Sequence, residues 1–373
     1  MKQLLLAVSC IWLVASAHCL AQQKVLDQVN QLELQGHFRE AANALTQART
    51  SKALSAAECR QLEFELDRLE RIKKDFLYTK EGLFAELQKS VKGLTADEYE
   101  HWITEGRFDS REIDGQRYFM SSSVSNLFFR HAELNARRRP PKNTRKLDQA
   151  HWETCQQIQQ AALAQKTPYV LPKRFHITMT ITAKPNAVPA GEVVRAWLPI
   201  PRQYPFQTDF QLVSASPKVQ HLDDEQSPIR CAYLEQPARK NRATEFEIQY
   251  DYTLHGVWFD IHPETVRTCD VNDPALQPFL REAPHVVFTP EMRALSQQIA
   301  GAEANPYLKA RQFYNWIAEH IQYSYAIEYS TIRNISDYCR TKGYGDCGQE
   351  ALLFITLCRL NGIPARWQSG WST

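Results

Sequence analysis

The hydrophobic period of this chain changes twice, and that change limits the fold more than any other feature. Between 24 and 92 apolar residues recur mostly three or four positions apart, as Phe38, Ala41 and Leu45 do. From 168 to 265 the period becomes two, and after about 290 it is helical again. The pattern predicts a multidomain α+β chain with a helical N-terminal region, an antiparallel β-sandwich and a final α+β core.

Proline, glycine and charge mark where these regions meet. Asp114 and Gly115 predict the turn of a small hairpin, and Pro199 and Pro201 end one of the predicted strands, because proline has no N–H for a central ladder. We expect a signal peptide at 1–21, a helical hairpin region at 22–92, a mixed helical region with a basic linker at 93–165, a β-sandwich domain at 166–268 and the final core at 285–373.

The N-terminus is typical of a secreted protein. Lys2 precedes an apolar stretch from Leu4 to about Ala17, and cleavage after Ala21 fits the rule for small residues. A lipoprotein with a modified Cys19 is the alternative, although the preceding residue is a bulky histidine. No later stretch is apolar and long enough to span a bilayer. We therefore expect an exported protein, periplasmic or extracellular, that is soluble or tethered at one end.

Charge gives no reason to expect a nucleic-acid partner. The formal net charge of the 373 residues is only +2. The densest basic stretch, RRRPPKNTRK at 137–146, contains two prolines that break a helix. A solvated linker explains this stretch better than a phosphate-binding site does.

The cysteines do not form a metal-binding pattern. Nine are present, two of them in the predicted signal peptide, and no two are spaced as CxxC. A zinc site is therefore not expected, and nothing in the sequence calls for a cofactor. The odd number that remains in an exported chain leaves at least one thiol free, unless it pairs with another molecule.

One cysteine stands where a helix is expected to begin. The segment GYGDCGQEALLFITLCRLNGIPARWQSGW, 343–371, places Cys347 between glycines and ahead of an almost wholly apolar helix that Gly362 and Pro364 end. Glycines at 343, 345 and 348 are expected to let the backbone turn tightly around Cys347. Free N–H groups and the dipole of a helix N-terminus stabilise a thiolate, which is the nucleophilic form. The same N–H groups can bind the oxyanion of a tetrahedral intermediate. The arrangement favours cysteine acyl transfer over a merely buried thiol.

These residues resemble the transglutaminase-like superfamily, a branch of the papain-like thiol enzymes. The likeness lies in Gly345, Cys347 and Gly348, in the apolar helix, and in the RLNGIPAR motif at 359–366. The stretch VRAWLPIP at 194–201 is similar to the β domain that precedes the core in exported bacterial members, so the resemblance covers about 168–373. It implies a papain/transglutaminase-like α+β core in which Cys347 is the nucleophile and its N–H serves the oxyanion.

The chain departs from this family where the catalytic base is expected. The resemblance implies a histidine several tens of residues after the cysteine, followed by an aspartate. Only 26 residues follow Cys347, and they contain neither. Either the core is partial because the chain is truncated, which we favour, or the chain is a natural inactive member. In both cases we expect these 373 residues to be inactive on their own.

Other candidates near the predicted site have less specific signals. His285 and His320 are the substitute bases to consider, and the position of His320 on the polar side of its helix favours a surface role. Asp346 suits a helix cap better than a catalytic role, and Cys358 suits the core. We expect a strand at 366–371, whose Trp367 and Trp371 either shape a substrate cleft or pack inside.

Two functions remain open at this stage. The first is an exported cysteine enzyme acting on amide bonds of a peptide or protein substrate, with hydrolysis favoured over amine transfer because water is the default acceptor. The second is a non-catalytic surface or periplasmic binding module with a degenerate core. The sequence predicts no oligomeric state.

Overall fold

The computed structural model describes residues 23–50, 54–139, 146–225, 227 and 229–370. The predicted signal peptide and Trp371 lie outside the described residues. The described chain mixes helices with antiparallel sheets, so the predicted α+β class is confirmed. By contacts it divides into two compact units: Met1–Asn143 with Pro263–Thr373, and Thr144–His262. The five segments that the sequence analysis predicts, with their bounds, remain predictions.

The described part of the first unit begins with a series of helices and one hairpin. The elements are α1 at 23–34, α2 Phe38–Arg49, α3 Ala56–Asp75, α4 Lys80–Ser90, α5 Ala96–Thr104, β1 Ser110–Ile113, β2 Gln116–Phe119 and α6 Ser123–Arg130. Asp114 and Gly115 form the hairpin turn with φ of 50° and 85°, and such positive angles favour Asp and Gly. The turn predicted at these two residues is confirmed.

The second unit is a two-layered β structure. After α7 Lys146–Gln165 come β3 Tyr169–Ala183, β4 Val193–Pro199, β5 Gln207–Ser216, β6 His221–Leu222, β7 Cys231–Pro237 and β8 Thr244–Val257. They form two antiparallel three-stranded sheets, in the orders β3-β8-β5 and β4-β7-β6. Leu234, Phe246 and Ile248 pack between the sheets in one cluster. Alternate residues of β8 thus face the interior, as the period of two predicts.

The rest of the first unit carries the helix of interest. Its elements are α8 Pro290–Ala300, α9 Pro306–His320, β9 Gln322–Tyr323, a 3-10 turn at Tyr329–Thr331, α10 Ile335–Lys342, β10 Tyr344–Gly345 and α11 Cys347–Leu360. The Asn305 side chain accepts hydrogen bonds from the N–H groups of Tyr307 and Leu308, so α9 begins where Asn305 and Pro306 predict it. In the part of the chain that the structure describes, no helix is both long and apolar enough to cross a membrane.

Helix α11 is the central buried helix that its composition predicts. Leu353 and Leu357 have no exposed surface and pack with Met292 of α8 and Phe313 of α9. Gly362 follows the helix with φ of 67°, a left-handed angle that glycine adopts without strain. Buried apolar contact on several sides fixes the axis of α11, and so fixes the position of its first residue.

One predicted element is wrong. A strand was expected at 366–371, but the described part, 366–370, contains none. Just before it, the Ala365 N–H donates to the Phe279 carbonyl at 3.0 Å, and the Ala365 carbonyl accepts from the Arg359 guanidinium at 2.8 Å. The backbone polar groups of Ala365 are therefore bound by a 3-10 turn and a side chain, not by a strand ladder.

Candidate active site

Cys347 is the first residue of α11, and it is exposed. It thus lies at the helix N-terminus where the sequence places it, and not within packed hydrocarbon. Its assignment as a nucleophile stays a prediction, because position alone does not establish chemistry.

The carboxylate of Asp346 caps this helix. Its Oδ1 accepts hydrogen bonds from the N–H groups of Gly348 and Gln349, each at 3.1 Å. In return, Gln349 Oε1 accepts from the Asp346 N–H at 3.3 Å, which completes a capping box. The predicted capping role of Asp346 is confirmed.

This cap changes which amides are available to a thiolate or an oxyanion. From the sequence, all the N–H groups of the first turn are expected to be free to bind a thiolate or an oxyanion. In the structure those of Gly348 and Gln349 are bound by Asp346. Within the described residues the Cys347 N–H has no hydrogen-bond acceptor. Its own amide is therefore the donor that remains for an incoming carbonyl oxygen.

The glycines beside Cys347 make room for neighbouring side chains. A Cβ on Gly348 would lie 2.1 Å from the Tyr329 hydroxyl oxygen and 3.0 Å from Cη2 of Trp367. A Cβ on Gly345 would lie 2.8 Å from Gln349 Oε1 and 3.1 Å from Cys339 Sγ. The sequence predicts tight backbone turning at both, but of the three glycines around Cys347 only Gly343 has a positive φ, of 69°. Close approach is therefore the reason for Gly345 and Gly348.

Three aromatic side chains surround the start of α11. Tyr323 and Trp367 are 40% and 43% exposed, while Tyr329 is half-buried. Burial, and after it the charge of a Cys347 thiolate, raises the pKa of Tyr323. Burial, followed by the hydrogen bond to Asp346, also raises the pKa of Tyr329. Trp367 lies against Gly348 and Tyr323 pairs with Gly345, so two partly exposed rings flank the start of α11.

A short parallel bridge holds Tyr323 against the segment before Cys347. Strands β9 and β10 pair Gln322 with Tyr344 and Tyr323 with Gly345. The Gln322 N–H donates to the Gly343 carbonyl at 2.9 Å, and the Ser324 N–H donates to the Gly345 carbonyl at 2.8 Å. Ordinary ladder bonds therefore fix the distance between Tyr323 and the start of α11.

Neither candidate base reaches Cys347 by a hydrogen bond. His320 is exposed, stacks on Trp316 with 4.7 Å between ring centroids, and has its Nδ1 2.9 Å from the Trp316 carbonyl oxygen. Its predicted surface role is confirmed. His285 has a buried Nδ1 without a partner among the described residues, and its carbonyl accepts from Ser336. No described histidine hydrogen-bonds Cys347.

An open cavity of about 430 Å³ lies close by in the same unit. Phe64 and Arg68 of α3 line one side, and Tyr329, Arg333 and His285 line another. Tyr329 thus faces this cavity while its hydroxyl donates to the cap of α11.

The other cysteines of this core are poor nucleophiles. Cys339 has no exposed surface and Cys358 is 2% exposed. Burial raises the pKa of each thiol to about 12. The predicted core role of Cys358 is confirmed, and exposure within the core distinguishes Cys347.

The sequence did not single out Tyr323 or Tyr329. Both lie in 322–333, where residues follow neither a helical nor a strand period. Tyr329 is 17 positions before Asp346, and only the folded chain brings its hydroxyl to that carboxylate. A tyrosine that reaches the site only through the fold has no neighbouring sequence pattern that indicates its role. Among the described residues no group of His, Cys, Asp and Glu side chains could hold a metal ion.

Comparison with known proteins supports the family resemblance of the segment that contains Cys347. Residues 293–373 match the family model of the transglutaminase-like superfamily. No curated protein matches the chain. A crystal structure from Cytophaga hutchinsonii, described as a proposed cysteine protease, is 22% identical with a TM-score of 0.40, and the match covers 52% of this chain and 66% of that one.

The chain thus spans less than two thirds of that solved structure, and so low a TM-score does not define a fold. The family match is independent of it and contains the exposed thiol, its helix and the motif that follows. The resemblance to the transglutaminase-like superfamily is therefore confirmed for residues 293–373.

Proposed function

We propose that this chain carries the nucleophile of an exported cysteine enzyme that cleaves amide bonds in peptides. The observation that carries the proposal is the exposed thiol at the first residue of a buried helix, with its own N–H unpaired among the described residues. Rings of Tyr323 and Trp367 beside it supply a wall for the substrate. Export rests on the sequence of residues 1–21.

The proposed reaction has two steps. The Cys347 thiolate attacks the carbonyl carbon, the C–N bond breaks, and the amine leaves with a proton. Water then attacks the thioester, releasing the carboxylic acid and restoring the thiol. In each tetrahedral intermediate the Cys347 N–H stabilises the oxyanion, since Asp346 leaves that donor unoccupied.

Acylation of Cys347 by an activated ester needs less from the site than hydrolysis of an amide does. An amine is a poor leaving group and needs a proton from a positioned acid, but no described histidine hydrogen-bonds Cys347. Nitrophenolate leaves without such help. We therefore propose that this chain accepts an acyl group from an activated ester but hydrolyses amides at least about 1,000-fold more slowly than a cysteine enzyme with a positioned histidine does.

A nitrophenyl ester of an N-acylated amino acid tests this proposal. We expect about one equivalent of nitrophenol in a rapid phase, and the acyl mass on the peptide 343–359 at Cys347, not at Cys358. Cys347→Ala should remove the rapid phase, and Cys155→Ala should leave it unchanged, because Cys155 is also exposed but starts no helix. Equal acylation of both thiols would favour a non-catalytic binding module instead.

A further inference from the structure

The Tyr329 hydroxyl donates a hydrogen bond to Oδ1 of Asp346, the residue next to Cys347. That oxygen also caps α11, so one atom accepts from the tyrosine and from two backbone N–H groups. A carboxylate beside a thiol opposes loss of the thiol proton, because two negative charges in proximity repel. Each hydrogen bond to the carboxylate spreads its charge and weakens that repulsion.

The turn that carries Tyr329 is held by α3. Asp75, the last residue of α3, accepts from the Glu328 N–H at 2.6 Å through Oδ2. Glu328 in turn caps the turn: its Oε1 accepts from the Ser330 hydroxyl at 3.1 Å. Arg71 lies 3.5 Å from the same carboxylate. The N-terminal helices thus contact the segment just before Tyr329.

We infer that Tyr329 is a positioning residue, held by α3 through Asp75, that binds the Asp346 carboxylate and so keeps its charge from suppressing the thiolate of Cys347. The inference rests on the proposed function of Cys347. It also assigns the N-terminal helices a role that the sequence did not indicate: they position Tyr329, which favours the thiolate form of Cys347.

Several ionisable groups surround Cys347, and they decide which variants are informative. Asp346 and Glu350 lie on its own helix and cap, Tyr323 lies on β9, and Tyr329 lies on the 3-10 turn. The pKa of Glu350 is raised by burial and then by the charge of Asp346. Asp346 is adjacent to Cys347 in sequence and accepts the hydrogen bond from Tyr329, so the informative variant removes the charge of Asp346.

The test measures alkylation of Cys347 in the full chain by iodoacetamide, followed by mass spectrometry of the 343–359 peptide. Tyr329→Phe removes the hydrogen bond, and at neutral pH we expect alkylation at least about three-fold slower. The pH at which the rate reaches half its maximum should rise. Asp346→Asn keeps a good helix cap but removes the charge, so we expect alkylation at least about three-fold faster.

The double variant separates charge from structure. In Tyr329→Phe/Asp346→Asn there is no charge left to mask, so its rate should equal that of Asp346→Asn alone. Asp75→Ala should slow alkylation as Tyr329→Phe does, and should have no effect beside Asp346→Asn. Tyr314→Phe, at a tyrosine that is 65% exposed on α9, is the matched control and should change nothing.

Three results would overturn the inference: an unchanged rate in Tyr329→Phe, an unchanged or slower rate in Asp346→Asn, or a Tyr329→Phe effect that persists in the double variant. The last would mean that Tyr329 supports the site by packing alone. Failure here is distinct from failure of the proposed function, because ester acylation of Cys347 in the unmodified chain does not depend on these variants.

Discussion

Arg130 stacks on Tyr344, with 3.6 Å between its guanidinium carbon and the centroid of the ring. The same guanidinium lies 2.5 Å from the Asp109 carboxylate and donates to the Ser324 hydroxyl at 2.9 Å. Tyr344 also donates its hydroxyl to Asp109. Arg130 ends α6, while Ser324 and Tyr344 belong to the bridged segments beside Cys347, so this cluster joins the N-terminal region to the core.

Removing this arginine should destabilise the first unit strongly. In Arg130→Ala the Asp109 carboxylate, 15% exposed, loses its cation, and breaking such a pair typically costs about 3–5 kcal/mol. We expect a clearly lower urea midpoint for the first unit. Lys89→Ala is the control, because its pair with Glu86 is 68% and 38% exposed and should be worth less than about 1 kcal/mol. Similar midpoints for the two variants would contradict the role of the cluster.

A methyl group at Gly348 should disturb the site more than its size suggests. It would lie 2.1 Å from the Tyr329 hydroxyl oxygen, so Gly348→Ala must displace that ring and break its bond to Asp346. We expect a loss of about 1–3 kcal/mol in unfolding free energy, together with slower alkylation of Cys347.

Gly370→Ala provides the comparison, because no atom lies within 4 Å of its added Cβ. It should leave both measurements unchanged. Adding Tyr329→Phe to Gly348→Ala removes the closest contact and should recover part of the stability. If Gly348→Ala behaves like Gly370→Ala, Tyr329 does not lie over the helix start as described.

High pH should unfold the core through its buried thiols. Burial raises the pKa of Cys339 and Cys358 to about 12, whereas an unfolded cysteine titrates near about 8.5. A group whose pKa is raised by folding contributes fully below its unfolded pKa, and that contribution is lost as the pH rises through the folded value. Stability should fall by about 1.4 kcal/mol per pH unit for each thiol between about pH 9 and 12.

Urea titrations at about pH 8 and about pH 10, in the presence of a reductant, check this dependence. Cys358→Ala should reduce the loss between the two pH values by one thiol's share. Cys155→Ala should not, because Cys155 is exposed in the folded chain. An identical pH dependence in the unmodified chain and in Cys358→Ala would disprove the assignment.

The parts of this structure that could be predicted are those that short stretches of sequence encode. Helix α11 follows from its apolar run and Gly362, the hairpin from Asp114 and Gly115, and the start of α9 from Asn305. The capping role of Asp346 was also predictable, because an acidic residue before an apolar helix has few other uses.

Contacts between distant residues could not be predicted in this way. Asn126 exchanges hydrogen bonds with the backbone of Tyr325, 199 positions away, and no periodicity carries such a pairing. The role of Gly348 was misjudged for the same reason, since the ring of Tyr329 arrives from another segment. The predicted strand at 366–371 is absent from the described residues 366–370, and Phe279 and Arg359, which bind the backbone of the preceding Ala365, come from other segments.

The fold makes Cys347 reactive, and Cys155 offers the most direct comparison. Both thiols are exposed, but Cys155 lies within α7 and not at a helix start. Competitive alkylation at neutral pH with limiting iodoacetamide, read peptide by peptide, gives the ratio of their rates. We predict about a ten-fold preference for Cys347 in the folded chain that falls to about one in concentrated urea. An equal ratio in the folded and unfolded chains would contradict the claim.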